Sequence, residues 1–181
     1  MRQAMKKTVP GGLLPQGKTV LRRLMALLST VLTLSLPAAC SGELSQASRE
    51  LGLNLSAGQV VEHLDTHGGF HGDGRAYLEL RFEGEAAEAL AGAITGREGW
   101  EPLPLTANLS GAVDGCLTED EAGKIPKISA IRNGFYCFLD RHSESTDEKD
   151  DSELFSRHSF NFSLAIYDLD ENTLYYFTLD T

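Results

Sequence analysis

Hydrophobic positions along the chain follow two periods, and the changes between them mark the elements. From Arg75 to Phe82 apolar and polar residues alternate, with Ala76, Leu78, Leu80 and Phe82 on one face and Arg75, Tyr77, Glu79 and Arg81 on the other. Period two with one polar face predicts a half-buried antiparallel strand. Its polar face, Tyr77 with Arg75, Glu79 and Arg81, would then offer a mixed surface to a partner. Val60-Val61-Glu62-His63-Leu64 predicts a strand before it, β-branched at its start. The connecting stretch from Asp65 to Gly74 carries Gly68, Gly69, Gly72 and Gly74, which forbid regular structure and mark a hairpin turn.

At Glu85 the period changes. Ala86, Ala89, Leu90, Ala93 and Ile94 stand at helical spacing, Glu85 and Glu88 complement the helix dipole, and Gly96 lies just past the end. Trp100 and Pro102-Leu103-Pro104-Leu105 read as an extended stretch packing back on the core, and residues 106–132 are the least periodic part. Phe135 to Leu139 is a nearly continuous apolar run, which predicts a central strand ending in Asp140-Arg141-His142. The acidic segment Ser143 to Asp151 reads as a solvated loop, because such charge density does not bury. Phe160, Phe162, Leu164 and Ile166 share a strand face, and a turn from Asp168 to Asn172 leads into a strand from Thr173 to Leu179. The order β-β-α-β-β-β, with local links, predicts an α+β fold: an antiparallel sheet of about five strands, two hairpins plus a central strand, with one amphipathic helix packed on it.

Ahead of this domain the chain is different. Residues 1–39 hold Arg2, Lys6, Lys7, Lys18, Arg22 and Arg23 and no acid. Arg22-Arg23, the apolar run Leu24 to Leu36, and Pro37-Ala38-Ala39 form the basic head, short apolar core and small-residue boundary of a secretory signal. The 13-residue core is shorter than the ~20 residues a spanning helix needs, which favours a cleaved signal over a transmembrane span. Ending on Cys40, the segment resembles the lipobox of bacterial lipoproteins, whose cysteine is lipidated and becomes the mature N-terminus. It departs from the usual pattern at Pro37, where Leu, Val or Ile is customary, with Leu36 one step further back. The resemblance implies lipidation of Cys40 and a place on the outer face of a bacterial cell membrane, held by the N-terminal lipid. The expected organisation is a leader and signal peptide over 1–39, a polar tether over 40–58, and a single domain over 59–181.

Charge now separates with the segments. The whole chain is formally −10, but residues 40–181 carry 10 basic and 26 acidic side chains, a balance of −16. Phosphate neutralisation needs clustered Lys and Arg, so nucleic acid is excluded as a partner. An acidic domain is also repelled by anionic headgroups, and only its N-terminus would hold it at a membrane. With Cys40 given to lipid, Cys116 and Cys137 remain as a candidate disulfide in an oxidising compartment. The alternative is that Cys137, inside Phe135-Tyr136-Cys137-Phe138-Leu139, is simply a buried apolar residue.

Chemistry concentrates in the histidines. His63, Asp65 and His67 are spaced by two, and His71 and Asp73 follow in the glycine loop. Imidazoles and carboxylates suit a zinc-like ion, so His67, His71 and Asp73, with Asp140 and His142, form a candidate metal set. The competing reading is an ordinary glycine-rich hairpin whose polar side chains bond the backbone or face water. No Gly-x-Ser-x-Gly elbow is present, and Asp168-Leu169-Asp170-Glu171-Asn172 departs from a calcium loop at Thr173, where Gly is required.

The stretches 65–74, Asn133 to Ser143 and Ser159 to Asp168 are similar to those of small predicted lipoproteins of gut Firmicutes, a family with no assigned activity. That likeness implies the address and carries over no functional residue. The leading expectation is thus an exported, lipid-anchored surface module that binds a protein, cation or small molecule and uses no cofactor. The alternative is a metal-dependent hydrolase whose divalent ion sits on the His/Asp cluster of 65–74 and 140–142.

Overall fold

The computed structural model describes residues 40–68, 72–116 and 128–181, without the side chains of Cys40, Ser41 and Cys116. The expected signal over 1–39 lies outside the described residues. The described elements run α1 (Cys40–Leu51), β1 (Gln59–Asp65), β2 (Gly74–Arg81), α2 (Gly84–Ile94), β3 (Trp100–Pro102), α3 (Ala107–Cys116), a 3₁₀ turn (Ile128–Ala130), β4 (Gly134–Asp140), β5 (Asn161–Asp168) and β6 (Thr173–Asp180).

The six strands form one antiparallel sheet in the order β1-β2-β6-β5-β4-β3. The fold is α+β with an antiparallel sheet, as the periodicities predict. The centre, however, belongs to β5 and β6, where every residue from Phe162 to Leu179 within the strands is buried. Both faces of these strands are apolar, so both must be covered.

One face carries Leu78, Leu80, Ala165, Tyr167, Leu174 and Tyr176 under α1 and α2, which contribute Ala47, Leu51, Ala87, Leu90 and Ile94. The other carries Tyr77, Phe138, Phe162, Leu164, Ile166, Tyr175 and Phe177 under α3, with Leu109, Ala112, Val113 and Ile128. Each fully buried Leu, Ile or Phe contributes on the order of 1.5–3 kcal/mol.

The two-sided cover accounts for the differences from expectation. Instead of about five strands and one helix, the described residues hold six strands and three α-helices. Strand β3 is three residues long and pairs Trp100 with Cys137, too short to show a period. Helix α1 occupies the stretch read as a tether over 40–58, where Leu44, Ala47 and Leu51 make a thin apolar stripe among polar residues. Glu43 in its first turn and Arg49 in its last complement its dipole. Beyond it Leu53 and Leu55 are also buried. Helix α3 carries Gly111 and Gly115, which dilute the pattern. The strand Phe135 to Leu139 is β4, second from the edge.

Of the mixed surface expected on β2, Arg81 is exposed and Arg75 half-buried, but the middle of it is interior. Tyr77 is 1% and Glu79 6% exposed, and the Tyr77 hydroxyl donates to Glu79 Oε2 at 3.0 Å. Burial, with the Glu79 carboxylate beside it, pushes the Tyr77 phenol far above its ordinary range. The acidic segment Ser143 to Asp151 is mostly exposed, as its charge density predicts, and the chain around it is tied down. Leu154 is buried, Arg157 pairs with buried Asp140, and Lys149 Nζ lies 3.2 Å from Glu98 Oε1.

Candidate functional site

Register gathers polar residues at one end of the sheet. Gly74 pairs with Asp180, Asp180 with Asn161, and Asp140 with Phe162, which sets Arg141 beside them. The chain leaving β1 folds over this end because Gly74 lacks a side chain, since a Cβ there would stand 2.5 Å from His67 Cα. His67 is thereby held between two carboxylates. Its Nδ1 is 2.7 Å from Asp65 Oδ1 and its Nε2 3.0 Å from Asp180 Oδ2. Asp180 Oδ1 accepts from Arg141 Nη2 at 3.1 Å, and Arg141 also donates to the Phe162 carbonyl. A doubly protonated ring donates to both carboxylates, a neutral ring to only one. Burial opposes the Asp65 charge, but the His67 N–H, its ring and Glu43 outweigh it and hold this carboxyl below its usual range.

A second polar cluster lies under α1. Glu50 Oε2 accepts from Ser163 Oγ and Tyr176 OH, both at 2.6 Å, while Oε1 accepts from Gln46 Nε2 at 3.0 Å. Burial works against the Glu50 charge. The hydrogen bonds from Ser163, Tyr176 and Gln46 and the attraction of Arg141 prevail, and its carboxyl lies below the usual value. Ser163 and Tyr176 are 2% and 1% exposed, so the carboxylate is their local substitute for water. At the other end of α1, Glu43 Oε2 stands 3.3 Å from His63 Nε2 on β1.

Three of the five expected metal ligands, His67, Asp140 and His142, have other partners. His67 is spent on Asp65 and Asp180, as above. Asp140 is ion-paired with Arg157 and accepts from the His142 N–H. His142 Nε2 meets Ser159 Oγ at 3.0 Å and its Nδ1 accepts from the Glu144 N–H. Asp73 is exposed, and His71 lies outside the described residues. Among the described residues no three His, Cys, Asp or Glu side chains converge as a metal site.

The chain matches no family model, no curated protein and no solved structure.

Cys137 is a free thiol on the face covered by α1 and α2, while the helix ending at Cys116 covers the opposite face. The side chain of Cys116 lies outside the described residues. Burial pushes the Cys137 thiol up to about 11 against the pull of Lys149 and Arg97, which makes it a poor nucleophile. It floors a groove of about 380 Å³ bounded by Glu50, Arg97, Trp100 and Lys149.

A broader cleft of about 510 Å³ opens beside Asp140 and Arg141, with Ser145, Thr146, Asp147 and Glu148 on its walls. Carboxylates and hydroxyls around one guanidinium can accept several hydrogen bonds from a ligand and donate few. Glu50, Ser163, Tyr176 and Asp180 were not among the residues marked by spacing. The one sequence signal for those on strands is polarity inside an otherwise apolar run, as at Ser163 between Phe162 and Leu164, and Glu50, among the polar residues of α1, gives none.

Proposed function

We propose that the protein is exported, anchored by a lipid on Cys40 at the outer face of a bacterial cell membrane, and works there as a binding module. The observation that carries this reading is the junction. A basic head, an apolar run and Pro37-Ala38-Ala39 end on Cys40, and that same residue lies in α1, the helix packed on the sheet. Two acyl chains on Cys40 would suffice for stable anchoring, at ~0.8 kcal/mol per buried CH₂, with no apolar membrane patch required on the domain.

The ligand is a protein, a cation or a small molecule. The cleft beside Arg141 is the first place to look for it, because its walls combine carboxylates with hydroxyls and it stays open to solvent. Of the residues the hydrolase alternative would use, His67, His142 and Asp140 bond to other protein groups.

Mass spectrometry of the mature N-terminus tests the anchor. A diacylated Cys40 in the membrane fraction, moving to the soluble fraction in Cys40→Ser, is the expected result. An unmodified N-terminus at any other residue overturns it.

A further inference from the structure

Helix α1 does more than cover the sheet, because it fixes where the anchor leaves the domain. Cys40 lies within it. One turn later Glu43 meets His63 on β1, the edge strand. Two turns further on Glu50 meets Tyr176 on β6 and Ser163 on β5. The helix therefore crosses the sheet from the β1 edge inward, and Cys40 emerges at that edge.

The acid-rich loop lies at the opposite side. It follows β4, and its Lys149 reaches Glu98 just before β3, while Asp151 meets Thr106 and Asn108 just after β3. Six strands spaced by ~4.8 Å span roughly 24 Å. That is about three Debye lengths at physiological salt, where the screening length is ~8 Å.

From this placement we propose that the domain meets the lipid headgroups through the β1 edge and holds the loop carrying Glu144, Asp147, Glu148, Asp150, Asp151 and Glu153 away from them. The inference rests on the lipidation of Cys40. Three features of the edge suit a bilayer. The irregular pairing between Val60 and Glu62 turns Val61 outward, 47% exposed, so an apolar side chain faces the lipid. The outer backbone groups of β1 are unpaired within the sheet, and the headgroup region is wet enough to satisfy them. The positive end of the α1 dipole points toward the anionic phosphates. The edge bears Glu43, Glu62 and Asp65, against the six acids of the loop, so anionic lipid favours the orientation with the edge inward.

The test uses full-length lipidated protein in phosphatidylglycerol–phosphatidylethanolamine vesicles with a nitroxide quencher on a fraction of the headgroups. Fluorophores are placed at Val61→Cys or Gln59→Cys and, separately, at Glu153→Cys, each combined with Cys116→Ser and Cys137→Ser. Quenching several-fold stronger at 59 and 61 than at 153 is expected. Equal quenching, or stronger quenching at 153, from protein whose Cys40 is diacylated overturns the orientation and leaves the anchor standing, whereas an unlipidated Cys40 overturns both. Amide exchange on the unsubstituted protein probes the same orientation without variants. Added protection on vesicles confined to residues 59–63 supports the edge contact, and added protection at 144–153 overturns it.

Discussion

His67 and Asp180 are 113 positions apart and joined by a 3.0 Å contact from Nε2 to Oδ2. That contact ties the first hairpin to the end of the last strand. Asp180 passes the tie on to Arg141, and Arg141 to the backbone of β5, so one carboxylate links four of the six strands.

Removing that carboxylate should be felt by both partners. Asp180→Asn is expected to cost about 1–2 kcal/mol in urea unfolding, since the groups are only about a quarter exposed and each loses a charged partner. Combined with His67→Gln, the loss should fall short of the sum of the single losses by roughly 0.5 kcal/mol or more. Additive losses would show that the contact carries no energy of its own.

Glu50 should contribute to the acid limb of stability. Its folded carboxyl lies below its ordinary 4.5, so its contribution is complete above pH 4.5 and is lost as the pH falls through the folded value. Asp65, held below 3.8, acts in the same direction at lower pH. Glu50→Ala strands the Ser163 and Tyr176 hydroxyls and should cost about 2–3 kcal/mol at pH 7. Glu50→Gln keeps an acceptor, costs less, and flattens the profile between pH 5 and pH 3. A Glu50→Gln profile as steep as that of the unsubstituted protein would show that another group governs the acid limb.

Two glycines should respond in opposite ways. A Cβ at Gly134 would overlap the Tyr167 carbonyl oxygen where β4 meets β5, so Gly134→Ala is expected to cost about 3 kcal/mol or more. Gly92 lies inside α2 with nothing within 4 Å of its Cβ position, and Gly92→Ala should stabilise by roughly 0.5–1 kcal/mol. Thermal melts of the two variants decide both.

Cys137 should be slow toward thiol reagents while the domain is folded. A rise from 9.0 to about 11 lowers its thiolate fraction near neutral pH by about 100-fold. In a chain carrying Cys40→Ser and Cys116→Ser, labelling of Cys137 by iodoacetamide should accelerate by at least that factor in denaturant. Equal rates folded and unfolded would mean that the thiol is open in the native state.

The sequence is legible where contacts are local and periodic. The β1–β2 hairpin, α2, β4 and the β5–β6 hairpin stand within a residue or two of where alternation and helical spacing place them. Elements with a thin signal are the ones missed. Helix α1 shows three apolar positions in twelve residues, and β3 is too short for a period. The buried face of Tyr77 and Glu79 is invisible locally, because the layer that covers it comes from Leu105, Leu109, Ala112, Val113, Ile128 and Leu154. The polar site is less legible still. It joins positions 65, 67, 141 and 180, and Asp140 finds its partner in Arg157, across a loop read as solvated.

The placement of β5 and β6 has a consequence for the order in which the sheet can assemble. The two central strands are residues 161–180. Until they arrive, the chain holds only two separate ribbons, β1 with β2 and β3 with β4, each missing the neighbour that completes it. A two-stranded ribbon is marginal in water on its own. When the chain is made N-terminus first, this sheet therefore cannot close until residues 161–180 have appeared, long after Cys40 has emerged.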